Sequence, residues 1–326
     1  MKKVIVFLAV LTCLASLMGA SNVVSQEKGY SRETIVINDS NTYLSCVQLV
    51  IRLKGLMEKY LPDGVTVEWT YVATSADIRD AVIANRVDIA SIAVPSVIVS
   101  LENHLPLVII SGTAGSPIYL YSNNPEIKTF QDITKNSRIS TLNKGSATHL
   151  SFLAKCKEVF GDPTIYDNNL VAMPNAEALA SLETSNELDC AMFVIPSTVR
   201  ANEISKITLI EDLTPIMLDY NMTSYFVTNE KFFKENPVLI EAFRKATHDS
   251  VEFINNNTKE VAVLLGEVFD IDPVYIEEAL LICPPRLEVS GYDKTANLMY
   301  EAGILSETPM KFIDLSYYNE IPKADE

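Results

Sequence analysis

One short pattern, present twice, constrains the fold of this chain more than any other feature. Val87-Asp-Ile-Ala-Ser-Ile-Ala-Val-Pro-Ser96 recurs as Leu188-Asp-Cys-Ala-Met-Phe-Val-Ile-Pro-Ser197, with Asp, Ala, Pro and Ser at identical spacing. Each copy follows a stretch of small residues, Asp80-Ala-Val-Ile-Ala84 in one and Ala176-Glu-Ala-Leu-Ala180 in the other. A near-continuous apolar run of this length is a strand buried on both faces, as in a parallel sheet. Pro-Ser then starts a helix just past the strand's C-terminal end. Open parallel sheets bind ligands beyond those ends. The repeat therefore predicts two halves of common architecture, each presenting the same kind of loop.

The rest of the chain fits that frame. Strands are expected at 34–38, 65–72, 87–94 and 105–110, separated by helical stretches, one of them long and running to about Tyr60. Gly112-Thr-Ala-Gly-Ser116 interrupts the alternation, which restarts with strands at 118–122, 138–142, 170–173 and 189–195 and closes near Pro215. A further strand is expected at 223–228. Helices follow at about 236–255, 258–269, 273–281 and 293–301, and the last residues, 323–326, read as frayed. Strands alternating with helices make this an α/β chain. Trp69 alternates with valines and reads as core.

Within the second half, Arg138 to Leu142 reads as a strand, Asn143 to Gly145 as a turn, and Ser146 as the N-cap of a helix with the apolar stripe Phe152, Leu153, Cys156, Val159 and Phe160. Such a start leaves backbone N–H groups unpaired, and the helix dipole places partial positive charge there. Gly145 permits positive φ or close approach of a ligand. Ser146 and Thr148, with Ala147 between them, add hydroxyls, and Lys144 adds a full charge. The segment Lys144, Gly145, Ser146, Ala147 and Thr148 is a candidate anion cradle. It matches neither the nucleotide P-loop nor the dinucleotide glycine pattern. His149 faces the buried stripe and reads as a packing residue.

Charge and cysteines narrow the classes. Lys and Arg number 26 against 42 Asp and Glu, a net charge of −16, and no basic run is visible, so nucleic acid is excluded as a partner. Lys2 and Lys3, the apolar run from Val4 to Met18 and the small residues Gly19-Ala20-Ser21 read as a secretory signal over 1–20, too short for a membrane span. A rival reading makes Cys13 a lipid-attachment site. Of the other cysteines, Cys46, Cys156, Cys190 and Cys283 show no metal-binding spacing and read as buried small hydrophobes, with a disulfide left open in an exported protein. No cofactor or metal site is read from the sequence.

Asp132-Ile-Thr-Lys-Asn-Ser-Arg-Ile-Ser-Thr-Leu-Asn-Lys-Gly-Ser-Ala-Thr-His149, then Pro174-Asn-Ala-Glu-Ala-Leu-Ala180 and Leu188-Asp-Cys-Ala191, resembles the solute-binding proteins of nitrate, sulfonate, taurine and thiamine-precursor ABC importers. Ala81-Val-Ile-Ala-Asn-Arg-Val-Asp-Ile-Ala90 is similar to the first half of the same family. The likeness covers roughly 33–230. It departs from the family at Arg86-Val87 and at Asn186-Glu187-Leu188, where glycine is common. The resemblance implies a type II periplasmic-binding-protein-like fold: two α/β lobes, each a mixed sheet flanked by helices, with a ligand cleft between them. Lobe 1 would comprise 33–112 plus 219–320, and lobe 2 would comprise 113–218. The implied partners are a small polar or anionic solute and a membrane permease, for an exported monomer that is not an enzyme.

Candidate ligand residues beside the cradle are Ser40, Asn41 and Thr42 at the first helix, Ser75 at the second, Val94 and Ile195 at the repeated strand ends, and Tyr225 near the second crossover. Helix capping is the competing role for the hydroxyl residues. Two alternatives stay open. One is an enzyme related to pyrimidine-precursor synthases, disfavoured by scattered cysteines, by histidines only at 104, 149 and 248, and by the absence of H-E-x-x-H and G-x-S-x-G; no catalytic residue is assigned. The other is a chemosensory receptor domain, which sequence does not separate from transport.

Overall fold

The structure is a computed structural model and describes residues 28–39, 42–72, 75–185, 187–289 and 292–308. Ser40, Asn41, the signal segment 1–20, Cys13 and the terminal residues 323–326 lie outside the described residues.

Two five-stranded mixed sheets carry the fold. The first is built from β1 (Thr34–Asp39), β2 (Thr66–Tyr71), β3 (Ile89–Ala93), β4 (Leu107–Gly112) and β10 (Ser224–Asn229), in the order β2-β1-β3-β10-β4. The second uses β5 (Tyr119–Ser122), β6 (Ile139–Thr141), β7 (Leu170–Ala172), β8 (Cys190–Phe193) and β9 (Thr208–Asp212), in the order β7-β6-β8-β5-β9. The repeated pattern holds the same place in each. β3 is parallel to β1 and antiparallel to β10, and β8 is parallel to β6 and antiparallel to β5. A central strand has sheet neighbours on both edges and helices or loops on both faces, which is why β8 is apolar throughout and β3 is apolar except at Ser91.

The helices are α1 (Cys46–Leu53), α2 (Ser75–Ile83), α3 (Val94–Glu102), α4 (Ala147–Phe160), α5 (Asn175–Thr184), α6 (Ser197–Glu203), α7 (Thr214–Asp219), α8 (Glu230–Glu235), α9 (Pro237–Asn256), α10 (Thr258–Phe269), α11 (Pro273–Ile282) and α12 (Asp293–Glu301). Among the described residues none is long and apolar enough to cross a membrane.

The strands expected from the sequence are all present, and two readings need correction. The first helix stops at Leu53 rather than near Tyr60. Gly55 takes φ +61°, the Leu56 N–H bonds the Ile51 carbonyl at 2.9 Å, and the Gly55 N–H bonds Arg52 at 3.2 Å. That is the left-handed helix stop that glycine favours. β9 was missed because it is an edge strand on which only Ile210 is buried, so no alternation marks it. Trp69, on edge strand β2, is partly buried against the core.

The chain passes from the first sheet to the second through 113–118 and returns through 213–223. A later segment also meets the first passage. The Gly112 N–H bonds the Leu287 carbonyl at 2.8 Å, and the Arg286 N–H bonds Thr113 at 2.9 Å. Beyond it, α12 packs against both α3 and α4. Lys157 pairs with Glu301 at 2.6 Å and Lys294 with Asp219 at 2.6 Å, while the Ser306 N–H donates to Glu102 at 2.6 Å. One apolar core runs through both halves, joining Val94, Met222 and Tyr225 to Ile118, Leu120 and Phe152.

Candidate functional site

The C-terminal ends of the parallel strands in both sheets are where a ligand can meet unpaired backbone. In the second sheet, β6 ends at Thr141, and the chain turns through Asn143–Gly145 into α4. Gly145 sits at φ +81°, and a Cβ there would meet nothing within 4 Å. The left-handed backbone favours glycine there, and no protein atom crowds the position. Ser146 is the N-cap, with φ −74° and ψ 164°; its Oγ accepts the His149 N–H at 3.2 Å and donates to the Asn143 carbonyl at 2.8 Å.

Three hydroxyls cluster here. Ser146 Oγ lies 2.9 Å from Thr148 Oγ1, which lies 3.3 Å from Thr141 Oγ1. The N–H groups of Ala147 and Thr148 belong to the first turn of α4, where no carbonyl a turn below can receive them. Not every donor of the turn is available: the Gly145 N–H bonds His149 Nδ1 at 3.0 Å. That bond requires a bare Nδ1. Burial holds the imidazole pKa down, to about 4, and the Lys144 ammonium pushes it the same way. His149 is thus a neutral ring built into the turn, as well as a buried packing residue. Lys144 itself is exposed.

The other candidates stand as follows. The Thr42 carbonyl accepts the Ser45 N–H at 2.9 Å, closing the 3-10 turn that leads into α1. Ser75 is half-buried and opens α2. Val94 is fully buried and its N–H bonds the Thr223 carbonyl at 2.9 Å. Ile195 is buried, and it belongs to the core cluster that is otherwise formed by the first sheet and its helices, so it joins the two halves. Tyr225 is also buried; its hydroxyl oxygen accepts from Asn221 Nδ2 at 3.1 Å, and burial pushes the phenol well up. The structure brings Thr141, Ser146 and Thr148 into one cluster; Val94 and Tyr225 are interior residues beneath the strand ends.

Sequence reasoning missed a set of buried polar side chains in the first half. Asn38 Oδ1, Tyr43 OH, the Gln48 amide, Ser111 Oγ and Thr113 Oγ1 have no hydrogen-bond partner among the described residues. Asn38 is 1% exposed and Gln48 0%, so these groups are desolvated. Leaving a buried polar atom unpaired costs about 1–3 kcal/mol, so each of these groups calls for a partner such as a water, an ion or a ligand. The available signal was a polar residue ending an apolar strand: Asn38 after Ile35-Val-Ile37, and Ser111 after Leu107-Val-Ile-Ile110.

Among the described residues no group of His, Cys, Asp or Glu is arranged to hold a metal ion. Cys46, Cys156, Cys190 and Cys283 are free and buried. Burial pushes the thiols of Cys46, Cys190 and Cys283 up to about 12, leaving no ready thiolate.

A family model described as NMT1/THI5 like matches residues 60–261. The chain belongs to the NMT1/THI5-like family. No curated protein matches it. Among solved structures, the periplasmic aliphatic sulphonate binding protein SsuA of Escherichia coli is similar at 16% identity, over 84% of this chain and 87% of that one, with a TM-score of 0.67. A ligand-binding component of an ABC-type import system from Staphylococcus aureus, solved with zinc bound, is similar at 14% identity over 90% and 100% of the two chains, with a TM-score of 0.72. The Candida albicans CA3427 gene product, described as having the generic periplasmic binding protein fold, is similar at 13% identity over 86% and 93%, with a TM-score of 0.70. At these identities the likeness establishes the fold of this NMT1/THI5-like chain: two lobes of the periplasmic-binding-protein kind.

Proposed function

We propose that this NMT1/THI5-like protein is the exported solute-binding component of an ABC importer. It takes up a small polar or anionic solute between its lobes and delivers it to a membrane permease. The observation that carries this reading is the turn opening α4: three clustered hydroxyls and the first-turn N–H groups of Ala147 and Thr148 at a strand end of the second sheet. In a chain of net charge −16, long-range attraction for anions is absent, so donors at close range must supply it. Hydrogen bonds to a charged acceptor contribute about 1.5–3 kcal/mol each, so a few of them reach the roughly 8 kcal/mol of a micromolar complex. Similarity to proteins described as sulphonate-binding or as ligand-binding components of import systems supports the same reading.

In this proposal 33–112 with 219–320 form lobe 1, 113–218 form lobe 2, residues 1–20 direct export, and the protein acts as a monomer without a catalytic residue. Mass spectrometry of small molecules released from natively purified protein identifies the solute. That solute at about 100 times its dissociation constant should add about 2.7 kcal/mol of stability. Ser146→Ala should weaken its binding about tenfold by calorimetry, at roughly the cost of one charge-assisted hydrogen bond. Unchanged affinity in Ser146→Ala and Thr148→Val would remove the turn from the site. Ligand-dependent capture of a permease separates transport from sensing.

A further inference from the structure

We infer that the protein has a second small-molecule site, for a small organic cation, in the groove where α11 of the first half meets β5 and α6 of the second. The groove encloses about 210 Å3. Tyr119 and Tyr121 come from β5, Asn202 from α6, and Tyr275 and Glu278 from α11. Its two walls therefore belong to different halves of the molecule. Along β5, Tyr119 and Tyr121 point to the face packed by α5 and α6, while Leu120 between them points to the core shared with α4. The body of α4 thus lies on the opposite face of the sheet from this groove. Of the described candidate solute-site residues only Ile195 also lines it.

The lining chemistry selects the occupant. Glu278 is the charged residue in it, and among the described residues no lysine, arginine or histidine joins it. Asp212 pairs with Tyr119 across β5 and β9, and Glu278 lines the groove with it; burial pushes the Tyr119 phenol up, and both carboxylates act in the same direction. Tyr119 and Tyr275 are half-buried and line the groove, one on each wall. Tyr121 is buried, and its hydroxyl donates to Asn202 Oδ1 at 3.0 Å, which fixes the groove floor. Leu209, 46% exposed, and Ile282, 44% exposed, supply an apolar rim.

Aromatic rings with a nearby carboxylate attract a cation. A methylated ammonium loses less hydration than a bare one on entering such a place, and an anion is repelled. The volume is below the roughly 300–1,000 Å3 of sites for drug-sized ligands, which fits a head group of trimethylammonium size. This inference does not rest on the proposed solute-binding role and holds whatever the α4 turn binds.

The test is calorimetric titration of the protein with choline and with its uncharged carbon isostere, 3,3-dimethylbutan-1-ol, at equal ionic strength. Choline should bind at least about tenfold more tightly than the isostere. Glu278→Gln and Tyr275→Leu should each weaken choline about fivefold or more, with unfolding midpoints close to the parent's. Ser146→Ala should leave choline affinity unchanged. Equal binding of choline and the isostere, parent-like affinity in both groove variants, or no saturable binding at millimolar choline would overturn the proposal. If Ser146→Ala weakens choline as much as Glu278→Gln, groove and turn form one site: the second site is then wrong, while the solute-binding reading survives.

Discussion

Asp189 holds Arg138 twice. Its carboxylate Oδ2 accepts the Arg138 N–H at 2.8 Å, and its own N–H donates to the Arg138 carbonyl at 2.9 Å. In the first sheet Asp88 does the same to Val36, with both bonds at 2.8 Å. The aspartate near the start of each copy of the repeated pattern thus locks the neighbouring parallel strand, so the repeat encodes strand register as well as burial. Asp88 also accepts from Arg32 at 2.6 Å, and Asp189 from Asn124 at 2.9 Å.

Removing these locks should destabilise unequally. Asp88 is 1% exposed and Asp189 only half-buried. Asp88→Ala should cost about 2–3 kcal/mol, because the part-buried Val36 N–H loses its acceptor and Arg32 loses its ion pair, and Asp189→Ala about 1 kcal/mol. Urea unfolding of the two variants measures the order; an equal or reversed order would contradict the assigned roles.

His149 should make stability depend on acidity. Its pKa is about 4 in the folded protein against an ordinary 6.5. Between those values the unfolded chain binds the proton and the folded one does not, so stability rises with pH there. The contribution is fully present above about pH 6.5 and is lost as pH falls toward 4, to a maximum of about 3 kcal/mol at 1.36 kcal/mol per pH unit. Denaturation curves at several pH values should show this slope in the parent and a shallower one in His149→Gln.

Gly145 should be replaceable only by residues that accept its backbone. At φ +81° with open space around a Cβ, Gly145→Ala should cost about 1–2 kcal/mol of stability through strain alone. Gly145→Asn should recover much of that loss, since asparagine enters the left-handed region more readily. Thermal unfolding of both variants distinguishes strain from steric exclusion, which would penalise asparagine more.

Gly112 is constrained for the opposite reason. A Cβ there would lie 2.6 Å from the carbonyl oxygens of both Arg286 and Glu288. Gly112→Ala should push the 286–288 segment off the passage between the lobes and destabilise by about 1–3 kcal/mol. Faster hydrogen exchange at the Gly112 and Arg286 amides, which bond across this junction, is the expected signature. Parent-like exchange would show that the junction absorbs the methyl group without parting.

What the sequence determined by itself was the periodic part. Buried central strands such as Ile89–Ala93 and Cys190–Phe193 must be apolar, and the turn ending in Gly145-Ser146 must supply a positive φ and a cap, so those features were legible one residue at a time. The stop at Gly55 and the edge strand Thr208–Asp212 were not, because one glycine in an apolar run and one buried isoleucine carry no period. Only the tertiary structure decided which candidates form a group. Val94 and Tyr225 went to the core, His149 was bonded to the Gly145 N–H, and Tyr119 was brought to Tyr275 across nearly half the chain. The physical reason is that propensity and burial patterns act over a few neighbouring residues. A binding surface is instead set by how two sheets and the helices between them pack, and that packing is fixed by contacts distant in sequence.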